Sequence, residues 1–352
     1  MDTSPVTARS LAPYYRIDGD TLERNYKDHL SGFREWEDAA HADTYLLFPE
    51  NFGPHMCLDE TSTKDGELFT ILSNKDGHCR KGSIAAIVRG TRVEDVAAAI
   101  NLVPEEVRKV VGEITLDFSS SMEGIAQACF PWAYRTLDRF HMQRMAIDAV
   151  QELRKRHLRE AMAEEAKARK NFRRVQKAKR TKMKNSPYYR AGKMKWLPLI
   201  KAYVPERLSN GDSVPELLTR SMYLLMKSAD KWSDSQKERA KILFEQYPDL
   251  KTAYGLSHSL RVIFNNKNAT PETAKASMTG WYDKVAMFKN EDFHTLAATI
   301  QSRESEVLNF FLFRSTNAAA EALNTKIKAF RAQIRGVVDL KFFLFRLTNI
   351  YA

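Results

Sequence analysis

Residues 54–88 read PHMCLDETSTKDGELFTILSNKDGHCRKGSIAAIV and contain three short apolar runs separated by polar turns. The first run, Met56–Asp59, ends in acidic residues, and the second, Glu67–Leu72, is rich in residues that favour strands. The turn Asn74–Gly77 precedes the third run, Ser83–Val88. Apolar runs at this spacing, with turn residues between them, predict an antiparallel meander.

Two further strands, each preceded by a helix, are predicted downstream of the meander. A helix that opens at Thr91 leads to a fourth strand, Glu113–Phe118. A second helix, Ser120–Cys129, leads to a fifth strand, Ala133–Leu137. The order is β-β-β-α-β-α-β, and three strands carry an aspartate at or near their C-terminal end. Open α/β sheets place their sites at such strand ends.

The chain becomes helical after the fifth strand. About 170 residues beyond His141 have helical patterns, which six prolines divide into about six helices. The first of these is predicted from about Met142 to Met183, and the N-terminal part has one predicted helix, Asp20–Ala40. We expect four parts: a helical N-terminal segment (1–50), the first part of an α/β core (51–141), a basic all-α insertion (142–308) and the last helices of the core (309–352).

Positive charge is concentrated in one segment. The chain of 352 residues has a formal net charge of +11, but residues 151–195 alone contain seventeen Lys or Arg and four Glu, a net of +13. A helix that is merely solvated usually mixes the two signs, whereas a helix that binds phosphates has an excess of cations. Both interpretations stay open, and the second predicts DNA contacts at Arg173, Arg174 and Lys177.

The composition excludes several classes of protein. No run of eighteen apolar residues exists, so no membrane span is expected. The N-terminal residues lack the pattern of a secretory signal. Cys57, Cys79 and Cys129 are too few and too scattered for a zinc ribbon or a disulfide framework. We therefore expect a cytoplasmic protein.

The last part of the chain contains an amphipathic helix with an unusual polar face. Steps of four and three residues place six polar residues on one side of this helix. They are Asn317, Glu321, Asn324, Lys328, Arg331 and Arg335. The apolar residues of the opposite side have the same rhythm; they are Leu323, Ile327, Phe330, Ile334 and Val337. The polar face is either the solvated side of the helix or, with one carboxylate followed by three cations, a DNA-contacting surface beside a metal site.

Three acidic residues from separate elements have the positions that a metal site requires. Asp59 ends the first strand, Asp117 ends the fourth and Glu321 lies on the late helix. In a ribonuclease-H-like mixed sheet the first and fourth strands are neighbours at the centre. Carboxylates, water and phosphate are the ligands that Mg²⁺ prefers, and two such ions about 4 Å apart catalyse phosphodiester cleavage. Mn²⁺ is accepted by the same ligands.

Other acidic residues compete for these roles. They are Glu60, Glu123 and Asp138. Asp138 and His141 lie three residues apart after the fifth strand, and they are predicted either to orient groups beside the metals or to act as a purely structural cap. The sequence does not decide between these two roles.

Four fragments of the chain resemble the DDE transposases of bacterial insertion sequences, within them the ISL3-like group that has a large helical insertion. The fragments are Leu58–Ser62, Ile114–Asp117, Phe130–Pro131 with Asp138–His141, and Ser315–Arg331. They occur in the order of that family, and the resemblance extends from about Tyr45 to Ala352. It implies that Asp59, Asp117 and Glu321 are catalytic metal ligands.

The resemblance also implies an activity. In that family a metal-bound water cuts a DNA strand at the end of the mobile element, and the freed 3′-OH attacks target DNA. Because two ends must be paired, a homo-oligomer on DNA is expected. The family usually begins with a cysteine-rich zinc ribbon and a helix-turn-helix, which this sequence lacks. It is therefore expected to be the catalytic half of a split system, with a separate upstream polypeptide that recognises DNA.

Two other functions stay open on the sequence alone. A ribonuclease-H-like nuclease or junction resolvase would cut DNA without joining it, although such an enzyme does not need an insertion of about 170 residues. A non-enzymatic DNA-binding protein would use the acidic residues only as turns and caps. Trp232 and Trp281, in the insertion, are either packing residues or platforms for an unpaired base.

Overall fold

The computed structural model describes residues 1–62, 66–194, 196–334 and 339–352. Its six strands are β1 (Tyr45–Leu47), β2 (His55–Ser62), β3 (Leu68–Asn74), β4 (Ile84–Arg89), β5 (Glu113–Leu116) and β6 (Tyr134–Leu137). The described residues form one sheet with the order β1-β4-β3-β2-β5-β6. The pairs β1–β4, β4–β3 and β3–β2 are antiparallel, whereas β2–β5 and β5–β6 are parallel. The chain is therefore mixed α/β, as predicted.

The helices that flank or follow the strands account for most of the remaining chain. The first five are α1 (Ala8–Tyr15), α2 (Gly19–Asn25), α3 (Val93–Ile100), α4 (Glu105–Arg108) and α5 (Ser120–Cys129). The next six are α6 (Arg139–Lys184), α7 (Pro187–Arg190), α8 (Val214–Arg220), α9 (Met222–Met226), α10 (Asp234–Gln246) and α11 (Pro248–Asn265). The last five are α12 (Pro271–Met287), α13 (Glu291–Ser302), α14 (Glu304–Phe313), α15 (Ala318–Gln333) and α16 (Leu340–Tyr351).

Contacts divide the described chain into two compact units. One consists of 1–142, 268–275 and 300–352, and it contains the whole sheet. The other consists of 143–267 and 276–299, and its described residues are helices and loops without strands. The division of the chain into four parts that we predicted from the sequence stays a prediction.

Three local predictions are corrected by the structure. The first predicted strand does not end at Asp59, because β2 continues to Ser62 and pairs with β3 along its whole length. The helix predicted over Asp20–Ala40 is shorter: α2 (Gly19–Asn25) continues as a π-helix to Leu30, and two short 3₁₀ turns follow. Gly32 has φ of 75°, a left-handed conformation that interrupts any helix there. The edge strand β1 was not predicted, since only three residues pair.

One apolar core fixes the position of α15. Leu323, Ile327 and Phe330 are at most 2% exposed, as predicted for the apolar side of this helix. They pack with residues of β3, β4 and α16 in a single cluster. Truncation of a buried Phe typically costs about 3–5 kcal/mol, so this cluster holds α15 firmly on one side of the sheet. Val337 and Arg335 lie outside the described residues.

Candidate active site

Three aspartates lie side by side on three neighbouring parallel strands: Asp59 within β2, and Asp117 and Asp138 directly after the ends of β5 and β6. Cys57 of β2 pairs with Thr115 of β5, which pairs with Thr136 of β6. Asp59, Asp117 and Asp138 each follow two residues later, so the register brings them to one level of the sheet. The N–H of Asp138 continues the ladder with a hydrogen bond of 3.0 Å to the Leu116 carbonyl. We call these three aspartates the acid row.

The member of the row on β2, Asp59, is held by two asparagine side chains of the late helix. Its Oδ2 accepts a hydrogen bond from Nδ2 of Asn324 at 2.9 Å and a longer one from Nδ2 of Asn317 at 3.4 Å. Its Oδ1 accepts the N–H of Glu60 at 2.8 Å. Every one of these donors favours the carboxylate over the acid form.

Burial nevertheless makes the negative charge of Asp59 costly. Burial raises the pKa of Asp59 to about 6, and the negative charge of Asp117 contributes in the same direction. The Glu60 N–H and the charge of His141 lower this pKa but do not cancel the effect. A buried carboxylate that repels its neighbour is stabilised by a nearby cation, which is the usual situation of a metal ligand.

The other two members of the row, Asp117 and Asp138, are each fixed by the start of a helix. Oδ1 of Asp117 accepts the N–H of Ser119 at 2.8 Å, immediately before α5. Oδ1 of Asp138 accepts the N–H of Phe140 at 3.3 Å, so Asp138 caps α6. This cap explains why α6 begins at Arg139 instead of at the predicted Met142. Helix N-termini carry partial positive charge and favour acidic groups beside them.

A second group of potential ligands overlaps the row. One ligand atom each from Asp138, His141 and Glu321 lies within 4.8 Å of the other two. Asp138 is fully buried, His141 is half-buried and Glu321 is exposed. Burial raises the pKa of Asp138, while the backbone N–H groups of Phe140 and Asn317 act in the opposite direction. The late glutamate thus reaches the same end of the sheet as the strand-borne aspartates.

The polar face of α15 meets β2 over three turns. Asn317 caps the helix and Asn324 lies two turns later, and both amides contact Asp59. Nη1 of Arg331 donates to the Ser62 carbonyl at 3.2 Å. Glu321 lies between the two asparagines on this face. The polar face that the sequence indicated thus lies against β2; its contact with DNA stays a prediction.

The residues of α15 that were predicted to bind DNA fall into two classes. Asn317 is fully buried and Asn324 is 9% exposed, so the geometry assigns them to Asp59 instead of to a solvent-facing surface. Their amides satisfy a buried carboxylate, and a helical wheel does not distinguish this role from contact with DNA. Lys328 is exposed and Arg331 is half-buried. Arg335 lies outside the described residues.

The residues present fit divalent cations. Carboxylate oxygens converge here, and Oδ2 of Asp138 is buried without any described donor at hydrogen-bond distance and angle. Oδ1 of Asn317 is also buried without a described partner. Oxygen atoms left in this state are costly unless an ion or its water shell occupies the space beside them. The residues that the structure brings within ligand distance of one another are Asp138, His141 and Glu321. Asp59 and Asp117, at the same level of the sheet, stay predicted ligands.

The predicted DNA contacts of the basic segment lie on α6. Arg173, Arg174 and Lys177 are exposed, and within the described residues no carboxylate forms an ion pair with any of the three. Nearby ion pairs, such as Arg169 with Glu165, are internal to the helix. The exposed cations are therefore available to phosphates.

Trp232 and Trp281, whose roles stayed open in the sequence, both pack against other residues of the helical unit. Trp281 is 2% exposed, and its Nε1 donates to the Leu256 carbonyl at 3.0 Å. Nε1 of Trp232 donates to the Leu224 carbonyl at 2.8 Å, and its ring packs against Tyr254. Base stacking by Trp281 would require exposure that this side chain does not have.

One polar group next to the acid row was not recognised in the sequence. Glu113 lies two positions before Thr115 in β5, is 1% exposed and contacts Lys75 and Ser315. A glutamate inside the apolar strand EITL was the available signal, since a buried acid needs a partner.

A family model described as a transposase, of the DDE and ISL3 type, matches residues 56–205 and 204–347 of the chain. No curated protein and no solved structure shows significant similarity to it. Among the residues that the structure describes, no helix has both the length and the apolar character needed to cross a bilayer.

Proposed function

This chain belongs to the ISL3-type family of DDE transposases, and on that premise we propose that it cleaves DNA at the ends of an insertion sequence and joins the freed 3′-OH ends to target DNA. The observation that carries the proposal is the convergence of Glu321 with the acid row, because polynucleotidyl transfer of this class uses clustered carboxylates. We assign the sheet and its flanking helices to a ribonuclease-H-like core, with the helical unit as its insertion.

Asp59, Asp117 and Glu321 are the proposed ligands of two Mg²⁺ ions, with Mn²⁺ as a substitute. Such ions activate the attacking oxygen and stabilise the leaving oxygen. The protein contributes orientation: Asn324 and Asn317 hold Oδ2 of Asp59, and Ser119 holds Oδ1 of Asp117. Asp138 and His141 are proposed to orient water and ligands from the side of β6.

DNA is the proposed substrate of both the row and the basic helix. Lys328 and Arg331 follow Glu321 along α15, where they are suited to contact the phosphates next to the scissile bond. Arg335, outside the described residues, is proposed as a further DNA contact. Arg173, Arg174 and Lys177 are proposed to bind the backbone further along the duplex, because they are exposed and without described carboxylate partners. These contacts give affinity without sequence information.

Recognition of element ends is proposed to need more than this chain. The described residues contain no cluster of cysteines that could form a zinc ribbon, and the three cysteines are free. We propose that a bacterial split transposase is assembled from this catalytic polypeptide and a separate DNA-recognition polypeptide, and that two copies of the chain pair the element ends.

The test is cleavage and joining of an element-end duplex in the presence of Mg²⁺. The wild-type protein is expected to nick the end and to join a pre-cleaved 3′-OH end to a second duplex. Cleavage without joined product would instead support a nuclease or junction resolvase on the same scaffold. Salt-sensitive binding with no cleavage in Mg²⁺ or Mn²⁺ would contradict the enzymatic proposal.

A further inference from the structure

A buried polar network lies beneath the acid row, on the same side of the sheet. Nζ of Lys75 donates to Oε2 of Glu113 at 3.0 Å and to Oγ1 of Thr115 at 2.6 Å. Oγ1 of Thr115 donates to Oε1 of Glu113 at 3.4 Å. Oγ of Ser315 donates to Oε2 of Glu113 at 2.7 Å. The network thus joins the start of the turn after β3, the strand β5 and the segment before α15.

Burial gives the network a defined geometry. The side chain of Glu113 is 1% exposed and that of Lys75 is 13% exposed. Water therefore solvates neither charge well, and each charge would be costly to bury without the other. A buried ion pair is favourable only when its remaining hydrogen-bonding groups are satisfied. Thr115 and Ser315 satisfy them here, and Ser315 is the one member that belongs to the late helical segment.

The network meets the catalytic elements at both of its ends. Successive side chains of a strand lie on opposite faces of the sheet. Glu113, Thr115 and Asp117 are each two residues apart, so they lie on the same face, with Asp117 directly after the end of β5. Ser315 is followed by Asn317, the cap of α15, and by Glu321 one turn later. The apolar core fixes later turns of α15, at Leu323, Ile327 and Phe330. The first turn has contacts of its own: Ala320 is buried, and the Ala319 carbonyl accepts a hydrogen bond from Sγ of Cys79 at 3.3 Å. Ser315 adds a contact directly before this turn.

We infer that Ser315, held by the Lys75–Glu113 ion pair, is a positioning residue that sets where α15 begins and thereby brings Asn317 and Glu321 to the acid row. This inference rests on the proposed function for the role of Glu321 as a metal ligand. The hydroxyl of Ser315 has no contact with the row itself. The hydroxyl acts through the backbone between Ser315 and Glu321. Loss of the hydroxyl is therefore expected to move the carboxylate of Glu321, a proposed metal ligand, while the carboxylate itself stays in the protein.

The experiment compares Ser315→Ala with Ser315→Thr in the full chain. Ser315→Thr keeps the hydroxyl and is expected to retain wild-type behaviour, whereas Ser315→Ala loses the bond to Glu113. The control is Thr316→Ala, because Oγ1 of the adjacent Thr316 accepts only a long local bond of 3.4 Å from the Ala318 N–H. Ser315 is half-buried, so Ser315→Ala is expected to fold.

The first measurement is Mn²⁺ affinity without DNA, by calorimetry. Residues that orient metal ligands typically change affinity by about 10–100-fold, so Ser315→Ala is expected to weaken Mn²⁺ binding about tenfold while Thr316→Ala does not. In a Glu321→Gln background the effect of Ser315→Ala should become smaller, since only the part that acts through Asn317 and Asp59 remains. Equal Mn²⁺ affinity of Ser315→Ala and wild type, or an undiminished effect in Glu321→Gln, would overturn the inference.

The second measurement needs no metal. Amide hydrogen exchange of the metal-free proteins is expected to accelerate in the first turn of α15 for Ser315→Ala, but not for Ser315→Thr or Thr316→Ala. Unchanged exchange there would overturn the inference. If the wild type bound no Mn²⁺, the proposed metal site would fail, and the exchange data would still decide the positioning role independently.

Discussion

The acid row and the basic helix α6 concentrate opposite charge in opposite ways. The row gathers aspartates at the ends of packed strands, and each is oriented by specific hydrogen bonds from residues such as Asn324, Ser119 and Phe140. Most basic residues of the second half of α6, such as Arg173, Arg174 and Lys177, are exposed. Catalysis at a phosphodiester needs ligands at fixed positions, whereas attraction of a duplex needs only a high density of cations.

This comparison predicts different sensitivities. A single substitution in the row should remove activity, because no neighbour can replace a misplaced oxygen. A single substitution on the basic helix should change DNA affinity only slightly, because many other cations of the helix still attract the DNA backbone. Both kinds of failure can be separated by measuring DNA binding and DNA cleavage on the same variants.

The largest effect is expected for Asp117→Asn. The amide keeps the shape of the side chain but loses the charge that holds a divalent ion, so cleavage of an element-end duplex should fall about 10³-fold or more. DNA affinity should change little. Asp95→Asn, at an exposed position of α3, is the matched control. Full cleavage by Asp117→Asn would remove this residue from the site.

The next effect is on stability and tests whether the helical unit uses its aromatic residues for packing. Trp281→Ala should cost about 3–5 kcal/mol of unfolding free energy, because the ring is buried and its N–H is bonded. Thermal unfolding measures this loss. Trp196, at 66% exposure, supplies the control Trp196→Ala, which should leave stability unchanged. A Trp281→Ala protein of normal stability with impaired cleavage would instead indicate contact with DNA.

A smaller effect is expected for Asn324→Ala, which removes the shorter hydrogen bond to Asp59. Outer partners of metal ligands typically contribute about 10–100-fold, so cleavage should fall within that range and recover partly at high Mg²⁺. Thr325→Ala is the control, since the Thr325 hydroxyl bonds only to the Glu321 carbonyl of its own helix. If Asn324→Ala lowered DNA affinity and not the response to Mg²⁺, the residue would be a DNA contact.

The smallest effect on chemistry is expected from the basic helix. Replacing Arg173, Arg174 and Lys177 together by Gln should lower DNA affinity and reduce the slope of log K against log salt by about 2.7, if each contacts one phosphate. Cleavage at saturating DNA should stay within about twofold. Lys241→Gln combined with Lys251→Gln, both exposed outside the basic segment, is the control. An unchanged salt slope would mean that this helix is only solvated.

Much of the sheet was predictable because its apolar runs are short and clearly separated. Three of its antiparallel strands and the strands that carry Asp117 and Asp138 follow from local pattern alone. The end of β2 was misplaced, since Asp59 and Glu60 lie inside a strand and a strand interior normally excludes adjacent acids. Asp59, a candidate site residue, interrupts the apolar pattern of the strand, and residues of functional sites often depart from the local pattern in this way.

The site was predictable in outline but not in detail. The spacing of Asn317, Glu321 and Asn324 identifies one helix face, and the structure brings that face to β2. Spacing does not reveal which polar residue meets which partner, so the asparagines were assigned to DNA and not to Asp59. The Glu113–Ser315 contact joins residues about two hundred positions apart. A local sequence pattern does not predict a contact between residues so distant in the chain.

The most direct test is a crystal of the protein soaked in Mn²⁺ and measured at the manganese absorption edge. We predict anomalous density between Asp59, Asp117 and Glu321, at about 2.0–2.4 Å from their carboxylate oxygens. Density confined to Asp138, His141 and Glu321 would assign the metal to the neighbouring group. Absence of density near all of these residues in a crystal that binds Mn²⁺ elsewhere would contradict the account.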